Sequence, residues 1–401
     1  MRKDIIIVTC LILVVCFSVT ASAASYSLDE DPIYSKLINA GFYTEDASDN
    51  IDKSIPQKAK ETISNYFGER LKQYGDLVFD EKQFSPYINF KAAEKTQIAL
   101  KLMESQIEIF AASGNKLGFS NFDFSIDYVS AKNVNSSVTE VCLYLNYDIE
   151  YNGFEGITSS VTKEPHKITL LLENDNWFIC KHEMFTQVAI ALEKIANEDE
   201  NVDIYLSNYE KSMIERNGLI EMSVPANVDD MLSTTSLESY NRSDACRYAR
   251  TYANSDNPSP WYTFSADCTN FVSIALRKGG LPQDSSGSNT WYWNSRSDRS
   301  ASWAGAKYLR TYLINNNSSS SSNTGVYATS VSLSSCSRGD VVSFESGGDI
   351  YHNAILTSYT TSGGWLLCQH SHSQGSKDVP LQTVIDWEDA TVRYTHIVGY
   401  Y

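Results

Sequence analysis

Three side chains in the last third of this chain have the types and setting for acyl transfer. In FSADCTNFVSIAL, Cys268 stands directly before a run with apolar residues at Phe271, Val272, Ala275 and Leu276. That spacing predicts a helix with one buried face, and Ser265 or Asp267 is its expected cap. A helix start leaves amide N–H groups without internal partners and favours negative charge, so a thiol placed there ionises more readily. The same N–H groups could hold the oxygen that turns negative when a carbonyl is attacked.

A thiolate nucleophile also needs a proton carrier. His352 opens the apolar run HNAILTSYT after the polar turn ESGGDIY, a place that fixes its backbone and suits its ring to general-base work. The chain turns at TSGG and returns as WLLCQHS, so a hairpin brings His370 alongside His352 to share its far ring nitrogen and set its tautomer. Trp261, Trp291, Tyr292 and Trp293 are candidates for the cleft walls. Tyr262 and Thr263 are candidate second oxyanion donors, and Asp267 either caps the helix or shapes the cleft. Zinc on His352, His370 and His372 is the rival reading. No H-E-x-x-H and no carboxylate at ligand spacing accompany them, so no metal or other cofactor is expected. A lone cysteine beside a cap is more often structural, and these residues alone leave both readings open.

The surrounding elements follow from pattern and composition. The chain has 401 residues, which suggests two domains. Residues 1–23 combine a short basic start, an apolar core and Ala-Ser-Ala, the pattern of a cleaved signal peptide, so the mature protein is expected outside the cell without a membrane span. An arm (24–56) precedes an acidic α+β domain (57–215), a linker (216–239) and a second domain (240–401). Helical spacing marks 57–76, 91–115 and 185–196, and alternation marks FDFSIDYV, VTEVCLYLNYDIEYNG, HKITLLLE and NWFICKHEMF as strands. Helices followed by such a meander resemble NTF2-like domains, and no polar cluster there stands out as an active site. The acid excess of 49 against 32 lies upstream of residue 241, which argues against nucleic-acid binding. Six cysteines follow the signal. Cys142 and Cys180 could pair, Cys246 reads as packing, and an even count proves no disulfide.

The second domain resembles the "putative amidase" domain family of Gram-positive bacteria, a relative of the papain-like NlpC/P60 and CHAP cell-wall hydrolases. DCTNFVS followed by GGLP carries most of the likeness, with GDVV and the pattern H-x-A-I-L-T behind it. The resemblance implies an α+β fold with a papain-like hydrolase domain, Cys268 as nucleophile, His352 as base and His370 in the orienting place. It implies a cell-wall peptide or amide substrate, with the amide bond cleaved through a thioester. Asn270 would support nearby backbone, and Asp340 would be structural. The front domain would be a spacer, a module that binds a protein partner, or a cover for the cleft. The non-enzymatic alternative is a secreted binding or surface-assembly protein on the same scaffold, and transfer of the acyl group to an amine is a third.

Overall fold

The helical stripe at 57–76 buries Ala59, Ile63, Tyr66, Phe67, Arg70 and Leu71, and the helix stops where Leu77 turns left-handed (φ 53°) and returns its N–H to Gln73 and Tyr74. This computed structural model describes residues 32–43, 51–92, 94–114, 117–198, 200–221, 238–316, 325–371 and 374–401. The expected signal peptide, most of the serine tract and His372 lie outside the described residues. The front segment contains α1 (Pro32–Ala40), α2 (Ile51–Ser54), α3 (Gln57–Asp76), α4 (Glu94–Ala112), β1 (Phe119–Asn133), β2 (Val138–Tyr151), β3 (Ser159–Glu173), β4 (Asn176–Met184), α5 (Gln187–Asn197) and α6 (Val202–Glu221). The linker expected from 216 therefore begins inside a helix that the sequence reading did not foresee, and 222–237 lie outside the described residues.

The back segment comprises α7 (Arg242–Tyr252), α8 (Cys268–Lys278), β5 (Trp293–Ser295), β6 (Asp298–Arg299), α9 (Ala301–Ala304), α10 (Ala306–Asn315), β7 (Val326–Val331), β8 (Val341–Ser346), β9 (Asp349–Thr360), β10 (Gly364–Ser371), β11 (Gln374–Pro380), α11 (Leu381–Glu388) and β12 (Thr391–Tyr400). The architecture is mixed α and β. One sheet crosses both segments in the order β1-β2-β3-β11-β10-β9-β8-β12-β7, with β4 also paired to β3. The seam is β3. Its first half pairs with β11 (Thr162 opposite Gly375), and its second half pairs with β4 (Ile168 opposite His182). Lys163, left-handed at φ 58°, lies between the two halves. At the seam only glycine fits position 375, because a Cβ there would come within 2.1 Å of the Ala253 carbonyl oxygen.

Alternation along β9 divides the interior. Ala354 and Leu356 join a core that includes Tyr66, Phe67, Leu100 and Met103 of the front segment. Ile355 faces the other way, into a core built by Phe271, Leu276, Trp291, Trp303 and Leu309. The front and back segments thus share a sheet and one apolar core. Among the described residues no disulfide joins any of the six cysteines. Cys142 donates to the Ala40 carbonyl and Cys180, two strands away, to that of Thr169, so the pair left open from sequence is not joined. No helix among the described residues is long and apolar enough to cross a membrane.

A buried carboxyl ties α6 to α11. Asp386 is fully buried, with Gln382 at 3.0 Å and Asn217 of α6 at 3.3 Å. Burial pushes its pKa well above the carboxylate range, against the opposing pull of those two amides. The folded state then holds a proton that the unfolded chain releases above about pH 4. Its contribution to stability is present at low pH and is lost as pH rises from there. Asp386→Asn keeps the neutral shape, so its Tm at pH 8 should exceed that of the wild type by about 2 °C or more, with no gain at pH 4, in a pair of thermal melts.

Candidate active site

α8 begins at Cys268, and eight of its residues, from Thr269 to Leu276, are buried without interruption. That helix lies against β9 and β10, and a short chain of bonds stitches its first turn to the sheet. Asn353 donates to the Thr269 hydroxyl at 3.1 Å and accepts from Ser343 at 2.7 Å. Thr269 and Asn353 directly follow Cys268 and His352, so this bond draws the two candidate groups to the same place. Cys268 and His352 line one pocket of about 100 Å³, together with Phe264, Arg299, Tyr351 and Glu388. Ile33 of α1 also lines it, which brings the front segment to the mouth of the site.

Asp267 occupies the cap position of α8 without bonding the helix N–H groups through its side chain. Its carboxylate instead accepts from four directions. Oδ1 receives the Phe264 N–H and the Asn270 amide, each at 2.8 Å. Oδ2 receives the Asn257 amide at 2.7 Å and faces His370 Nδ1 at 2.8 Å. Asn270 in turn bonds the Tyr262 carbonyl and accepts from the Trp303 indole, both at 2.8 Å. The loop leading into Cys268 is therefore held from both sides. Asp340 is likewise structural: it is fully buried and bonded by Arg242, His396 and the Ile397 N–H.

The orienting partner of His352 is Gln369, whose amide oxygen stands 2.9 Å from Nε2. An accepting amide there puts the proton on Nε2 and leaves Nδ1 as the basic nitrogen. His370, assigned this place from sequence, is one residue further along β10 and faces the opposite side of the sheet. There it meets Asp267, donates to the Tyr252 carbonyl at 2.9 Å and stacks on Phe271 with centroids 4.1 Å apart. The error is one residue of register, which in a strand exchanges faces. The residue that bonds His352 is adjacent in the sequence, in CQHS.

The aromatic assignments also change. Trp291 is fully buried, with its indole donating to Ser273 at 3.0 Å, and Trp293 is 6% exposed. Trp261 stacks on Trp303 at 5.6 Å. These rings build the core beneath the site, and neither they nor Tyr292 line the Cys268 pocket. The Thr263 hydroxyl is taken by the Asn257 N–H at 2.7 Å, and the Tyr262 ring lies outward under Arg296 at 4.2 Å, so neither candidate donor reaches the pocket. Arg299, unforeseen from sequence, does line it, and among the described residues its buried Nε has no hydrogen-bond partner. Burial pushes up the thiol pKa values of Cys142, Cys180, Cys246, Cys336 and Cys368, and that of Cys246 reaches about 11. Among the described residues no group of three His, Cys, Asp or Glu stands close enough together to hold a metal ion.

Asp267 is 3% exposed, and its loss would strand His370 and two amides in the interior. Asp267→Ala should cost about 3–5 kcal/mol in a denaturant titration. An unchanged midpoint would show that the network is not structural.

Residues 239–396 match a protein family described as "Putative amidase domain". Over 123 residues the chain is 33% identical to the uncharacterized protein YhbB of Bacillus subtilis (strain 168), which is 30% of this chain and 37% of that protein. Over 137 residues it is 30% identical to the uncharacterized protein YjcM of the same organism, which is 34% of this chain and 28% of that protein. The match thus spans about a third of these relatives' length. A "Putative amidase domain" occupies residues 239–396 of this chain.

Proposed function

We propose that the back domain is a papain-like cysteine amide hydrolase secreted to act on cell-wall peptide or amide bonds. The observation that carries this reading is the shared pocket of Cys268, at the first turn of α8, and His352, braced by Gln369. The family match and the signal-like start support the class of reaction and the compartment.

In the proposed cycle, His352 takes the Cys268 proton and the thiolate attacks the amide carbon. The oxyanion is met by the Cys268 N–H at the helix start and by Arg299, which lines the pocket. The imidazolium gives its proton to the leaving amine as the C–N bond breaks, and a thioester remains. Water, deprotonated by His352, then attacks that thioester. The carboxylic product departs and the thiolate recovers its proton. These steps need no metal or organic cofactor.

Tyr351 and Glu388 form the far wall, the hydroxyl donating to the carboxylate at 3.4 Å. Burial, with that carboxylate adding to it, pushes the Tyr351 pKa upward, so it remains a neutral donor. The acidic front segment, through Ile33 and the shared core, acts in this reading as a cover that shapes access to the site.

Iodoacetamide should label the wild type at Cys268 and leave that peptide unlabelled in Cys268→Ala. In His352→Ala the labelling should slow and its pH profile should shift. An unchanged profile in that variant would favour a binding protein on the same scaffold. Incubation with purified cell wall should release fragments carrying a new carboxyl group, with turnover reduced about 10²–10⁴-fold in His352→Ala. A ligated product would point to an amine as the acceptor.

A further inference from the structure

An open groove of about 760 Å³ lies among α7, β11, the loop before β8 and residues 156–158 of the front segment. It shares no lining residue with the Cys268 pocket. Ser243, Arg247, Arg250 and Thr251 recur at helical spacing along one face of α7 and supply one wall. Arg338, from the loop before β8, and Lys377 of β11 supply two others. A chain of net charge −17 thus gathers four cations around one groove. Among the described residues that line it, Asp378 is the one carboxylate.

The acids nearby do not balance these cations. Asp378 is buried, faces Arg250 Nε at 2.8 Å and accepts from the Thr357 hydroxyl at 2.7 Å. Arg247 meets Asp244 at 2.7 Å, but its side chain is 73% exposed, and a surface pair of that kind holds its partner weakly. The ion pairs around the groove join Arg242 to Asp340, Arg247 to Asp244 and Arg250 to Asp378. Among the described residues, Arg338 and Lys377 have no carboxylate within ion-pair distance. The Cys246 thiol, which also lines the groove, senses the surplus. Burial raises its pKa to about 11, while Arg250, Arg338 and Arg242 all pull it down against Asp378. Three guanidiniums therefore act on one place, two from α7 and one from the loop before β8.

We infer that this groove binds a chain of phosphate groups, with Arg338 and Lys377 as its principal charge partners. Cations from three elements answer the several oxygens of a phosphate, whereas a carboxylate offers two oxygens in one plane. The Ser243, Thr251 and Thr158 hydroxyls add donors along the same walls. A groove of this size suits a ligand of several such groups rather than one ion. No aromatic side chain is among the described lining residues, so nothing there stacks a nucleobase, and the ligand is a phosphate chain without bases. At long range the acidic chain repels such a polyanion, and the groove is its local foothold.

Tripolyphosphate is the probe, titrated by calorimetry into the chain from residue 24 onward, beside orthophosphate, citrate and oligothymidylate. Tripolyphosphate should bind saturably, more weakly as salt is added, and the other three at least about tenfold more weakly. The double variant Arg338→Gln, Lys377→Gln should lose about tenfold or more in affinity while its thermal melt stays that of the wild type. In protein labelled with ¹⁵N at arginine, tripolyphosphate should move the Arg338 Nε–H resonance. No saturable binding to the wild type, or an unmoved Arg338 resonance, would overturn the assignment. So would equal or tighter binding of any of the three competitors, or full affinity in the double variant. The wild-type series decides the matter even if the double variant fails to fold. Iodoacetamide labelling of Cys268 in the same samples reports separately on the proposed hydrolase.

Discussion

The Asp267 carboxylate is the point on which the back domain turns. It takes bonds from the preceding loop, from the first turn of α8 and from β10, and so fixes where the helix starts relative to the sheet. A cap residue commonly spends its oxygen on the helix N–H groups. Here the oxygen goes sideways, leaving the first-turn N–H groups uncapped by that side chain while the helix is still anchored. One carboxylate therefore settles both the direction of α8 and the availability of its positive end, and the Cys268 environment follows from those two facts.

The legible parts of the sequence were those with a period. α3 begins and ends where the spacing of Ile63, Tyr66, Phe67 and Leu71 placed it, and α8 starts at the cysteine that the motif singled out. The failures have physical causes. The partner of His352 depends on strand register, and the irregularity between Leu366 and Leu367 in the β9–β10 pairing cannot be seen in a hairpin read from its turn alone. Trp291 and Trp293 looked like cleft residues because aromatic side chains serve cores and clefts equally well, and only burial separates the two. α6 escaped notice because its apolar residues are spread around the helix rather than gathered on one face.

The buried chain from Glu164 through His166 and His182 to Tyr66 and Arg70 was invisible for a different reason. Its members come from β3, β4 and α3, up to 116 positions apart, and nothing in their local spacing announces that they meet. Such networks arise from topology, and each residue alone reads as an ordinary half-buried polar side chain. Arg70 is the clearest case, since it lies on the buried stripe of an amphipathic helix where an apolar residue would fit the pattern better.

The seam at β3 bears on how this chain can be divided. The back domain cut out at residue 239 would carry β11 as a naked sheet margin, its backbone N–H and C=O groups from Gly375 to Lys377 exposed where Thr162 to Ser160 now cover them. Leu356, Leu366 and Val384 would lose the front-segment side chains that keep water off them. An open margin beside a bared apolar face is the usual recipe for sticking to a second copy. The catalytic-looking half is thus not a detachable cassette, and the acidic half doubles as its built-in solubiliser.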